Sequence, residues 1–148
     1  MPGDRDVRLI APLFDSYRQF YDQPADPARA AAFIRERLEA RESVIFVAEA
    51  GGDGAGGILG FVQLFPSFSS VTARRIWVLN DLFVAAEARG SGVGRALMEA
   101  AREHAVETGA KRVTLETTSG NNTAWSLYES LGYTCHSDSA RFYSLELD

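Results

Sequence analysis

Residues Val78 to Glu107, VLNDLFVAAEARGSGVGRALMEAAREHAVE, constrain this chain more than any other stretch. They read as a strand, a glycine-dense turn and a long helix in direct succession. Val78, Leu79, Leu82, Phe83 and Val84 form an apolar run on both faces, as expected of a central strand covered by helices. Asn80 and Asp81 break that run, and a polar pair in such a place is costly unless it is partnered or used. Gly90, Gly92 and Gly94, on alternate positions, let the backbone turn tightly and leave its N–H groups uncovered. A helix that opens at such a turn adds unpaired donors and a positive dipole end, a combination suited to a phosphate-bearing ligand. Arg89 and Arg95 flank the turn. It is expected to cradle a pyrophosphate.

Other glycine turns bind other ligands, and the residues here distinguish them. A dinucleotide fingerprint, G-x-G-x-x-G, would need glycine where Arg95 stands. A P-loop would end in G-K-[ST], whereas this turn runs Gly94-Arg95-Ala96. What fits is R-x-x-G-x-G, as Arg89-x-x-Gly92-x-Gly94, after a strand and opening a helix. A second segment, Asn121-Asn122-Thr123-Ala124-Trp125-Ser126-Leu127-Tyr128-Glu129-Ser130-Leu131-Gly132-Tyr133, accompanies it. With these two motifs, in this order over residues 78 to 133, the chain resembles the GNAT superfamily, the Gcn5-related N-acetyltransferases that bind acetyl-coenzyme A.

Composition narrows the remaining possibilities. At 148 residues the chain suits one domain, residues 1–148, with a core of ordinary size. A net charge of −5 argues against nucleic acid or an anionic membrane as the main partner, and mildly favours a cationic substrate. One cysteine, Cys135, cannot form an internal disulfide, and with only His104 and His136 no metal-site constellation is expected. Met1 to Arg8 is charged and lacks an apolar signal core, and no run is long enough for a membrane span, so the cytoplasm is the expected compartment.

Taken in order, Val7, Ile10, Leu13, Phe14, Tyr17 and Tyr21 form a helical stripe over Val7 to Tyr21. Asp26-Pro27 then supplies an N-cap and a proline at the first helical position of a second helix, Ala28 to Ala40. Val44 to Ala48 reads as a strand, the glycine run Gly51 to Gly57 as a hairpin loop, and Ile58 to Phe65 as the returning strand. Pro66 to Ser70 reads as a loop, Arg74 to Val84 as the central strand, and Lys111 to Thr117 as the strand after the long helix. Asn121 or Asn122 is expected to cap a short helix through Leu131, ended by Gly132. Tyr133 to His136 and Arg141 to Leu147 are expected to close the fold as an antiparallel pair. The order after the first two helices is β-β-β-α-β-α-β-β, an α/β arrangement with a mixed, mostly antiparallel sheet and flanking helices.

The resemblance adds further expectations. In GNAT proteins a first strand precedes the two helices; only about six residues stand there in this chain, so that edge strand is either missing or truncated. The central strand and Lys111 to Thr117 would splay apart and admit coenzyme A between them. Its pantetheine arm would pair with backbone along Leu82, Phe83 and Val84, and its pyrophosphate would lie on Arg89, Gly90, Ser91, Gly92, Val93, Gly94 and Arg95. Asn121 and Ala124 would face the pantetheine. A neutral amine would attack the acetyl thioester directly, with Tyr128 as acid for the departing thiolate and Asp81 or Glu116 as base. As readings of the residues alone, the alternative for Tyr128 is a ring packed on Ala124, Leu127 and Leu131, and for Asp81 a satisfied structural carboxylate. A covalent route through Cys135 lacks a histidine or aspartate beside it in sequence. The LNDLFV run, Phe14 to Tyr21 and Phe142 to Leu145 resemble the diamine and histone-type (Hpa2-like) branch. That implies a primary amine acceptor, a polyamine, a lysine-like compound or a protein lysine, with Tyr17, Tyr21 and Phe65 to Phe68 at its mouth. It also implies a homodimer, favoured by an exposed sheet edge. The alternative is a module that holds acyl-CoA without turnover.

Overall fold

The computed structural model describes residues 4–51, 57–117 and 121–148. Gly52 to Gly56, inside the expected hairpin loop, lie outside the described residues. The chain forms two compact units, Met1–Glu116 and Thr117–Asp148.

The first unit opens with α1, Asp4–Phe20, which buries Val7, Ile10, Ala11 and Phe14 along the stripe visible in the sequence. Asp15 is also buried. It accepts hydrogen bonds from Arg18, from Gln19 and from the backbone N–H of Asp26, and so ties the end of α1 to the start of α2, Pro27–Glu39. Asp26 caps α2 through Arg29 N–H at 3.1 Å, with Pro27 at the first position, as the sequence indicates.

Four strands follow in the spatial order β1-β2-β3-β4: β1 Val44–Glu49, β2 Ile58–Ser69, β3 Arg74–Val84 and β4 Val113–Thr114. The first two pairings are antiparallel and the last is parallel. A 3-10 turn, Ala86–Ala88, leads from β3 towards α3, Val93–Glu107. Alternation along β2 shows which layer covers which face. Phe61 packs on Phe14 and Tyr17 of α1. At Gly60, its neighbour, a Cβ would come within 3.1 Å of Leu97 and 3.2 Å of Val93 in α3. The sheet is therefore sandwiched between α1 and α2 on one face and α3 on the other, where Leu97, Met98, Ala101 and Ala105 are buried.

The strands depart from the sequence reading in two places in this unit. Residues Pro66 to Ser69, expected in a loop, continue β2 opposite Trp77 to Arg74. Proline is tolerated because Trp77 N–H points to Arg112 C=O, away from β2, so its partner Pro66 directs its nitrogen away from β3 as well. β1 ends its pairing at Val44 opposite Leu64, so no ladder bond is lost there. β4, expected over Lys111 to Thr117, is only Val113–Thr114, because its parallel pairing stops at Val78 opposite Thr114.

In the second unit α4 spans Asn122–Ser130, capped by Asn121 through Ala124 N–H at 3.3 Å. Gly132 follows with φ +94°, the left-handed conformation that ends helices. The expected closing pair, Tyr133 to His136 and Arg141 to Leu147, is corrected: these residues form no strand. A strand needs a partner row of N–H and C=O groups, but here Ser139 and Ala140 N–H both fold back on His136 C=O. Phe142, Tyr143, Leu145 and Leu147 are exposed.

Candidate active site

The glycine turn is built as the sequence suggests. Gly90 and Gly92 have φ +82° and +87°, the left-handed region that favours glycine, and no atom lies within 4 Å of where a Cβ would stand. Gly92 is the N-cap of α3 and has no side chain to cover the first-turn N–H groups, which no α-helix can satisfy internally. No acidic residue stands in that turn. Arg95 stands there instead, exposed, a cation at the positive dipole end. Ser91 turns its hydroxyl inward, donating to Ala88 C=O. Arg89 also turns back: its Nε donates to Val84 C=O at 3.0 Å, and its guanidinium lies 5.5 Å from the Phe83 ring centre and 6.0 Å from that of Phe20.

Beside the turn the sheet parts. β3 and β4 are joined by Trp77 N–H to Arg112 C=O at 3.1 Å and Lys111 N–H to Arg75 C=O at 2.8 Å, and their pairing ends at Val78. β3 runs on to Val84 paired only with β2 among the described residues. Ala85 N–H points to Leu59 C=O in β2, so alternation aims the N–H and C=O of Leu82 and Val84 away from β2, into the opening. This is the backbone expected to receive an amide-bearing arm. The Val84 carbonyl is the one that accepts from Arg89.

Asp81 is buried at 5% exposure on the α1 face, in register with Gln63, while Phe83 two residues on meets Tyr17 and Phe20 of α1. Its carboxylate accepts from Gln63 Nε2 at 2.7 Å and from Asn80 Nδ2 at 3.1 Å. The ladder is irregular here, since Gln63 faces Asp81 while Leu64 faces Leu79, which leaves Asn80 as an extra, bulged residue. Sequence reasoning flagged Asn80 and Asp81 but missed Gln63. The available signal was the same one: a polar residue within the apolar run Phe61 to Leu64.

Glu116, the other candidate base, is exposed two residues beyond β4. Asn121, Ala124 and Tyr128 all belong to the second unit. Asn121 Oδ1 serves as the helix cap, and Tyr128 is half-buried with its ring 6.2 Å from that of Tyr133. Cys135 is exposed, and hydrogen bonding with the side chain and backbone of Ser137 holds its thiol below the usual cysteine range. Among the described residues no cluster of ligating side chains suits a metal ion, and no helix is long and apolar enough to cross a membrane.

Tyr17 meets Tyr21 and Phe83 edge to face at the end of α1, Phe20 meets Tyr21 in the same way, and Phe20 lies tilted against Phe83. Phe20 and Tyr21 remain exposed, Phe20 beside Arg89. Of the aromatics expected at an acceptor mouth, Tyr17 packs on the core and Tyr21 meets solvent beside it, whereas Phe68 lies at the other end of β2, exposed and under Arg75.

Comparison with known proteins agrees with this geometry. The model of the acetyltransferase (GNAT) family matches residues 10–133. The uncharacterized N-acetyltransferase YhfO of Bacillus subtilis is 50% identical over 128 residues, which cover 86% of this chain and 83% of that protein. An L-ornithine N5-acetyltransferase of Arabidopsis thaliana is 32% identical over 75 residues, 51% of this chain and 33% of that one. A crystal structure described as a probable acetyltransferase superposes with a TM-score of 0.89 at 39% identity, covering 99% of this chain and 95% of that one. The parted strand, the bare helix end and these matches lead to one assignment: the chain belongs to the acetyltransferase (GNAT) family.

Proposed function

We propose that this acetyltransferase moves an acetyl group from acetyl-coenzyme A to a primary amine by direct attack. The observation that carries the reading is the joint presence of a bare, glycine-built helix start and an opened strand edge at Leu82 and Val84. A diphosphate fits the first and a chain of amides the second. Gly90, Ser91, Gly92, Val93, Gly94 and Arg95 would hold the phosphates, Leu82, Phe83 and Val84 the pantetheine, with Asn121 and Ala124 completing that set by motif. Bound there, the donor supplies a thioester carbonyl.

The amine nitrogen forms the new C–N bond as the C–S bond breaks. Asp81 takes the proton that the amine must lose, with Glu116 as the alternative base, and Tyr128 returns one to the leaving thiolate. Tyr128 holds this role by its place in the motif. The acceptor class, a polyamine, a lysine-like compound or a protein lysine, is supported by the net charge of −5 and by the ornithine named for one relative. We also propose a homodimer paired along the β1 edge, which has a strand on one side only among the described residues. A monomer mass at micromolar concentration would remove that part.

The second reading is a module that binds acyl-CoA without turnover, and the two amide donors already occupying Asp81 favour it. Thiol release from acetyl-CoA across a panel of amines separates the two. Turnover of a primary amine supports the enzyme. A fold stabilised by acetyl-CoA, by about 2.7 kcal/mol at ~100 times its dissociation constant, with no amine turned over, supports the module.

A further inference from the structure

Gln63 is an expensive residue where it stands. Phe61, Val62 and Leu64 around it are fully buried hydrophobics, and Gln63 itself is 0% exposed. A buried primary amide costs stability unless each end is partnered. Only one end is: Nε2 donates to Asp81 at 2.7 Å, whereas Oε1 is buried with no partner among the described residues. An apolar side chain of the same length would fill the position without that cost. The cost falls beside the bulge at Asn80, opposite Asp81, on the face where the aromatic end of α1 packs. Local rules broken in this way mark functional positions.

This inference rests on the amine acetyltransferase reading and deepens it. We infer that Gln63 is a positioning residue for the proton transfer that frees the amine, acting through Asp81. Its Nε2 fixes one carboxylate oxygen while Asn80 fixes the other, so the remaining lone pairs of Asp81 have set directions. The acceptor ammonium gives a proton to Asp81. The ammonium N–H bond breaks, the amine becomes neutral and nucleophilic, and Asp81 later returns the proton to solvent. A neutral amide orients the carboxylate without competing for the proton.

The experiment is a double-mutant cycle in thiol release, with the best amine of the panel and with acetyl-CoA binding measured alongside. Gln63→Met keeps length and burial but removes both polar ends. It is expected to lower kcat roughly 10- to 100-fold, below the ~10²–10⁴-fold worth of a general base, with acetyl-CoA affinity unchanged. In an Asp81→Asn background the same change is expected to cost nothing further, because Gln63 acts through the carboxylate. Equal losses in both backgrounds, or no loss in the first, would overturn the inference. If Gln63→Met does not fold, Gln63→Leu, which also lacks both polar ends, is read in the same two backgrounds with the same criteria. A wild-type enzyme that turns over no amine sinks the underlying reading, and this inference with it. An active wild type with additive losses sinks this inference alone.

Discussion

Gly92 carries two demands at once, since it turns the chain at φ +87° and leaves the start of α3 bare. Gly92→Ala meets no steric obstacle, because nothing lies within 4 Å of the added carbon. Its cost is conformational, about 1–2 kcal/mol for an L-residue held in the left-handed region. Urea unfolding should show that loss, and calorimetry should show weaker acetyl-CoA binding as the turn relaxes; unchanged values for both would mean that the turn tolerates a side chain. Tyr128 belongs to the same scale. If its phenol is the acid, Tyr128→Phe slows turnover roughly 10²- to 10⁴-fold with acetyl-CoA affinity retained. Unchanged turnover would reduce it to the packed ring that its contact with Tyr133 also describes. Single residues were legible in the sequence where their role is local. Asp26, Asn121, Gly92 and Gly132 each act on their own turn of chain, and each does what its type implies. Gln63 stands out in the sequence as a polar residue in an apolar run, but its partnership was not legible, because Asp81 is 18 positions away and meets it only through the register of β2 on β3.

Among elements, the contact of β2 with the start of α3 controls where the turn points. Gly60 allows it: an added Cβ would lie 2.9 Å from Phe83 C=O, 3.1 Å from Leu97 and 3.2 Å from Val93. The carbonyl belongs to the strand and cannot swing aside as a side-chain tip can. Gly60→Ala is therefore expected to cost about 1–3 kcal/mol, as overpacked cores do, and to lower acetyl-CoA affinity by shifting α3. Thermal unfolding and calorimetry on one variant read both effects, and an unaffected protein would mean that α3 is not held this way. Elements with a strong internal period, α1, α2, α3 and β3, were read closely from the sequence. The misread ones were those whose extent depends on a neighbour. β2 runs through Pro66 because its nitrogen faces no ladder, β4 stops where β3 leaves it, and residues 133 to 148 lack a partner row.

For the whole molecule, the acetyltransferase reading depends on ligand chemistry distributed across separate stretches of chain. Two of these, the backbone at Leu82 and Val84 and the turn at Gly90 to Gly94, lie in the first unit and were both named from the sequence. The opening beside β3 was an expectation of the family resemblance, and the end of the β3–β4 pairing at Val78 provides it. The family model spans residues 10–133 and so includes Asn121 and Tyr128 of the second unit. The most direct test follows backbone amide resonances during titration with acetyl-CoA. The largest shifts are expected at Gly90, Gly92, Val93 and Gly94, with a second set at Leu82 and Val84. Saturable shifts confined to other residues, or none at these amides at saturating ligand, would contradict the account.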